Sequence, residues 1–215
     1  MYYIVSRITN KKINNTIIIL WDIHCKQNFL QYVNAITNYK IVQITEIGYI
    51  IQINNNYIAF MSQHPQEYTN INILFNKIKD VIQKNNISSI ISFSTAGSNT
   101  YNIGSVLQFH SAIIVDPEKY DLSNNLIKSN NILFETSQFI NSPIGNTKGF
   151  TRCPKELVAC GQDEFVIYEL SNQLNMPCLT LTGISDQNSI KQYDDDGGNL
   201  AAKNVVNYFF ENYKL

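Results

Sequence analysis

Two hydrophobic periods alternate along this chain. Thr16-Ile-Ile-Ile-Leu-Trp21 is an unbroken apolar run, the mark of a strand covered on both faces. Lys26 to Thr37 follows with Phe29, Leu30, Val33 and Ile36 at helical spacing. Lys40 to Ile44, Tyr49 to Ile53 and Tyr57 to Met61 read as strands, the last two joined by a turn at Asn54-Asn-Asn56. Ile71 to Asn85 places Ile71, Leu74, Phe75, Ile78, Val81 and Ile82 on one helical face. Ile87 to Phe93 is a short strand running into a small-residue loop, Ser94-Thr-Ala-Gly-Ser98. Further strands are expected at Phe109 to Val115, Asn131 to Phe134, Leu157 to Cys160 and Cys178 to Leu181. Helices are expected over Glu164 to Leu174 and over a final segment with Leu200, Val205, Val206, Phe209 and Phe210, capped by Asp194-Asp-Asp196.

Strands alternating with helices predict the α/β class: one domain over residues 1–215, with three α/β/α layers and helices on both faces of a central mixed sheet. Ligands of such sheets gather at the carboxyl ends of strands. Three loops of small or polar residues fall at predicted strand ends: 94–98, 135–142 and 182–188.

Composition narrows the function. The chain has 215 residues, 44% hydrophobic, with a formal charge of -1. That profile gives no bulk electrostatic reason to bind nucleic acid or an anionic membrane. No apolar run approaches the roughly 20 residues that span a bilayer. Met1 to Arg7 lacks the basic-then-apolar pattern of a signal peptide, so a cytoplasmic protein is expected. Cys25, Cys153, Cys160 and Cys178 show no C-x-x-C spacing and read as buried, reduced thiols. His24, His64 and His110 are scattered, so neither a metal nor a cofactor is expected.

Several residues carry chemistry, each beside a plainer role. Thr95, Ala96 and Gly97 let backbone approach a ligand, or simply make a tight turn. Asp186, beside Ser185 at a strand end, is a general acid if burial raises its pKa, or a loop cap. Asp163 and Glu164 open a helix, where a carboxylate either accepts two ribose hydroxyls or caps the helix. Phe139, in a polar stretch, stacks on a flat base or plugs the core.

Taken in order, these segments resemble the purine nucleoside phosphorylase superfamily, and within it the 5'-methylthioadenosine/S-adenosylhomocysteine nucleosidases. Ile90-Ile-Ser-Phe-Ser-Thr-Ala-Gly97 with Ile103-Gly-Ser-Val106 is similar to the family's strand, small-residue loop and following segment. Gln138-Phe-Ile-Asn-Ser142 resembles its Phe-Ile-Asn stretch, and Gln162-Asp-Glu164 stands where the family has Met-Glu. Asn175-Met-Pro177 through Ile184-Ser-Asp186 is similar to its proline-to-Ser-Asp strand. The similarity covers about residues 57 to 213 at low identity.

The resemblance implies a nucleoside phosphorylase-like fold and cleavage of a purine nucleoside or 5'-thio-nucleoside. Asp186 would protonate the base at N7, with Ser185 orienting it. Phe139 would stack on adenine and the Ile140 backbone would read its edge. Thr95, Ala96 and Gly97 would line the ribose. Counting back from Asp186 puts Asp163 on the family's ribose-gripping glutamate, while chemical identity favours Glu164. A small-molecule nucleoside is the implied partner, and a homo-oligomer, by preference a dimer, is the implied assembly. Two loops depart from the pattern. Leu20-Trp-Asp-Ile-His-Cys25 has no glycine, and only Asp22 or His24 offers a water-activating group. Ser62-Gln-His-Pro-Gln-Glu-Tyr68 has Gln63 where phosphorylases have arginine, and the only arginines, Arg7 and Arg152, fall elsewhere. Hydrolysis is therefore expected over phosphorolysis. A binding or storage protein without turnover, or a phosphorylase using Ser, Thr and His64, remains open.

Overall fold

The computed structural model describes residues 11–35, 39–45, 47–65, 71–115, 122–147 and 153–215. The expected end of the first helix at Ile36 and Thr37, the tail of the 62–68 segment and both arginines lie outside them. In chain order the elements are β1 (Lys11–Lys12), β2 (Thr16–Leu20), α1 (Ile23–Asn34), β3 (Lys40–Thr45), β4 (Gly48–Ile53), β5 (Asn56–Met61), α2 (Ile71–Lys84) and β6 (Ser89–Gly97). They continue with β7 (Val106–Leu107), β8 (Ser111–Val115), β9 (Leu122–Lys128), β10 (Ile144–Asn146), β11 (Cys160–Gly161), α3 (Glu164–Leu174), β12 (Cys178–Asp186), α4 (Ile190–Gln192), α5 (Gly198–Asn212) and β13 (Tyr213–Lys214).

β1 and β13 pair with each other, and the other strands form one mixed sheet in the order β3-β4-β5-β2-β6-β11-β10-β8-β9. β12 lies parallel to β6 from Cys178↔Ile90 to Ile184↔Ala96, and β7 pairs with β12. β2 lies parallel to both β5 and β6, so β2, β6 and β12 all end on the same side of the sheet. β2 and β12 are buried throughout: β2 is nearly all apolar, while β12 alternates apolar residues with Thr180, Thr182 and Ser185, whose hydroxyls are hydrogen-bonded.

Side chains alternate across the strands and build two cores. Ile17 and Ile19 pack with Leu74, Ile78 and Val81 of α2 and Val166, Ile167 and Leu170 of α3. Ile18 and Leu20 pack with Phe29 and Val33 of α1 and Val205, Val206 and Phe209 of α5. The result is the expected three-layer α/β/α arrangement around a mixed sheet.

Four expectations need correction. Asn131 to Phe134 contributes only an isolated bridge, Ile132↔Cys178. Of Leu157 to Cys160 only Cys160 is in a strand, because Leu157 instead packs with Val115, Cys153 and Cys160. Strands β6 and β12 run on through Gly97 and Asp186, so most of 94–98 and 182–188 is strand and not loop. Asp194 to Asp196 do not cap α5. They belong to an irregular π-turn with Asp196 at φ 93°, and the helix starts from Gly197 without a side-chain cap. A Cβ on Gly197 would stand 2.0 Å from the Ser185 carbonyl oxygen, so the absence of a side chain, not acidic capping, sets this junction.

Candidate active site

A cavity of about 290 Å³ opens at the carboxyl ends of β2, β6 and β12. β6 supplies Thr95, Ala96 and Gly97, and β12 supplies Ser185 and Asp186. Asp22 comes from the turn after β2, and His64 from the stretch after β5. Thr147, Cys160, Gly161 and Gln162 close another wall, and Ile190 and Tyr193 come from the segment after β12. No Lys or Arg occurs among these described lining residues.

Asp186 is 3% exposed and ends a fully buried strand. Burial pushes its carboxyl pKa up, against the opposing effect of hydrogen bonds from Ser185 and the Ser189 and Asn188 amides. Ser189 N donates to Oδ1 at 3.1 Å. Ser185 Oγ lies 2.9 Å from Asp186 Oδ2 and 3.1 Å from the Ala96 carbonyl oxygen. Its single proton can therefore turn to Ala96 when Asp186 holds a proton of its own. β6 closes on this group: a Cβ on Gly97 would stand 2.8 Å from Asp186 Oδ1. Gly97→Ala should therefore displace the carboxyl group by a few tenths of an ångström and, under the function proposed below, lower turnover by less than the about 100-fold that a full 1 Å misplacement costs. Steady-state kinetics check this, and an unchanged kcat would contradict it.

Neither candidate ribose carboxylate lines the cavity directly. Glu164 is 1% exposed, and both its oxygens are occupied. Oε1 accepts from Ser94 Oγ at 2.5 Å and Thr182 Oγ1 at 2.8 Å. Oε2 accepts from Asn146 Nδ2 at 2.8 Å and the Asp163 amide at 3.3 Å. A carboxylate has about four lone-pair positions, so Glu164 is saturated from within the fold. Asp163 makes no capping bond to α3, contrary to the plainer expectation. Its Oδ1 instead lies 2.9 Å from Nδ1 of His64, which does reach the cavity. Burial pushes the Asp163 pKa up to about 6; His64 opposes the shift, while Glu164 and Asp22 add to it.

Phe139 and Ile140 are not among the lining residues. The Phe139 ring stacks on His110 at 4.8 Å, and the Ile140 amide donates to the Gln108 carbonyl at 2.9 Å. The four cysteines are buried and unpaired, and Cys160 faces the cavity. Among the described residues no group of three or more His, Cys, Asp or Glu is placed to hold a metal ion, and no helix is long and apolar enough to cross a membrane. Sequence reasoning missed Thr147, Gln162, Ile190 and Tyr193, which come from short or irregular segments without a periodic signal.

No known protein-family model and no curated protein sequence matches this chain. Solved structures do. A Helicobacter pylori 5'-methylthioadenosine/S-adenosylhomocysteine nucleosidase mutant with 5'-methylthioadenosine in its active site superposes with a TM-score of 0.70 at 10% identity, over 92% of this chain and 97% of that one. The Neisseria meningitidis nucleosidase in complex with methylthio-immucillin-A gives 0.67 at 14% identity, over 92% and 97%. The futalosine hydrolase of Helicobacter pylori gives 0.69 at 10% identity, over 94% and 97%. This chain shares the nucleoside phosphorylase-like fold of these structures, the fold that the order of its sequence segments implied.

Proposed function

We propose that this protein cleaves the N-glycosidic bond of a purine nucleoside, of adenine type and with a hydroxyl or a thio substituent at the 5' position, by transfer to water. The observation that carries this is Asp186: a buried carboxyl group with a raised pKa, at the strand end where this fold opens its cavity. In its acid form it gives a proton to N7 as the C1'–N9 bond breaks and the bonding pair leaves with the base. Positive charge then develops at C1'. Water bonds to C1' and releases its proton to solvent, so base and free sugar are the products.

Electrostatics support the same scheme. Asp22 and Asp186 line the cavity, with Asp163 and Glu164 behind it, an arrangement that favours positive charge on the sugar. Thr95, Ala96 and Gly97 lie against the ribose, and Asp163 meets its hydroxyls through His64 while Glu164 braces the floor. Phe139 stacks on the base and the Ile140 backbone meets its edge once the Phe139–His110 pair opens. The described lining holds no ammonium or guanidinium group for an attacking phosphate, so base release should be unchanged when phosphate is added. A phosphate-dependent rate would point to phosphorolysis instead.

The acid form of Asp186 is the active one. It is abundant below the raised pKa and lost above it, so kcat should fall as pH rises through that value. A pH–rate profile tests this, and a rate that does not fall anywhere as pH rises from acid to alkaline contradicts it. One observation favours a second reading, nucleoside binding without turnover: the lone pairs of Asp22 are all occupied. Calorimetry with parallel product analysis separates the two, because tight binding with no base released after long incubation supports only the second.

A further inference from the structure

Asp22 caps α1, is 2% exposed and lines the cavity. Its Oδ1 accepts from the His24 amide at 2.7 Å and the Cys25 amide at 3.1 Å. Its Oδ2 accepts from the Tyr193 hydroxyl at 2.6 Å and Thr95 Oγ1 at 3.2 Å. Four donors fill the lone-pair positions a carboxylate offers, leaving none to take a proton from a water in the cavity. The two amides belong to the helix that Asp22 caps, but Thr95 and Tyr193 reach it from distant segments.

Tyr193 is built into this contact. It opens the irregular turn Tyr193–Gly197, which follows α4. Gly197 brings that turn against the Ser185 carbonyl oxygen, and a Cβ on Gly198 would stand 2.7 Å from the Tyr193 ring. The ring also meets the edge of His24 at 5.5 Å. The stretch of chain that leaves the proposed acid, Asp186, thus returns its phenol to Asp22 across the cavity.

We propose that Tyr193 is a positioning residue: together with Thr95 it fixes Asp22 as a negative wall that stabilises charge developing at C1', and so withholds Asp22 from service as the base for water. This rests on the nucleosidase function proposed above. The attacking water then meets an already cationic carbon and loses its proton to solvent after the C–O bond forms. A fixed carboxylate of this kind acts on the transition state and little on ground-state binding, so its loss falls on kcat.

The test uses the full chain with adenosine and 5'-methylthioadenosine as probes. Tyr193→Phe keeps the ring and removes one donor. It should lower kcat roughly tenfold with KM within about twofold, the effect of one hydrogen bond to a charged group. Asp22→Asn should lower kcat further, and adding Tyr193→Phe to it should change nothing more. Because Asp22 caps α1, thermal unfolding checks that Asp22→Asn folds; should it fail to fold, Tyr193→Phe carries the test through the split between kcat and KM, which a merely structural role would not produce. An equal loss from Tyr193→Phe with and without Asp22, or a change confined to KM, overturns the inference. Base release by the wild-type chain that Tyr193→Phe leaves at the same rate overturns this inference alone. No base release by the wild-type chain overturns the nucleosidase function as well.

Discussion

Replacing Asp186 with Asn should lower base release by about 100- to 10,000-fold, the usual contribution of a positioned general acid. The side chain stays the same size, and its oxygen can still accept the Ser189 amide that now bonds Oδ1 at 3.1 Å. Nucleoside binding and melting temperature should therefore persist while the proton source is gone. The expected signature is a collapse of kcat with KM largely kept. Calorimetry on the same variant checks that the site is intact. If Asp186→Asn instead loses binding and keeps the residual rate per bound nucleoside, Asp186 is a binding residue and not the proton donor.

Replacing Glu164 with Ala should have its largest effect on stability. Ser94, Thr182, Asn146 and the Asp163 amide all donate to this one buried carboxylate. Asn146 in turn accepts from the Phe165 amide in the first turn of α3, so the carboxylate helps anchor that helix across β6, β10 and β12. Its removal strands several buried donors, a loss of about 3 kcal/mol or more. For a chain of this size that lowers the melting temperature by about 6–12 °C. Thermal unfolding without ligand measures it. A variant that melts with the wild type but shows a raised KM would instead place Glu164 on the ribose.

The parts of this molecule that periodicity could reach are the parts built from one repeating environment. α3 begins at Glu164 and ends at Leu174 as its spacing predicts, with Asn175 in the left-handed conformation closing it. β2 and β12 show in the sequence because both their faces are covered. The short strands β7, β10 and β11 span only two or three residues each, too few to leave a period. Leu157 misleads for a related reason: its apolar side chain fills the pocket around Cys153 without joining the sheet. Asp194, Asp195 and Asp196 carry the composition of a cap, yet the space available at Gly197 decides where α5 begins.

The candidate site divides the same way. Thr95, Ala96, Gly97, Ser185 and Asp186 come together from neighbouring parallel strands, which is why their order along the chain could suggest them. The contrast between Asp163 and Glu164 could not be read from adjacent positions. It depends on which carboxylate faces Ser94 and Thr182 and which faces His64, and those partners lie between 18 and 99 residues away. Tyr193 depends on a turn with no regular period, so nothing in the pattern marks it.

The most direct test of the central claim is to incubate the purified chain with 5'-methylthioadenosine or adenosine in 18O-labelled water, with and without phosphate, and to analyse both products. The account predicts free adenine and a free sugar carrying the label at C1. Nucleoside recovered intact, or a sugar 1-phosphate formed only when phosphate is supplied, would contradict it.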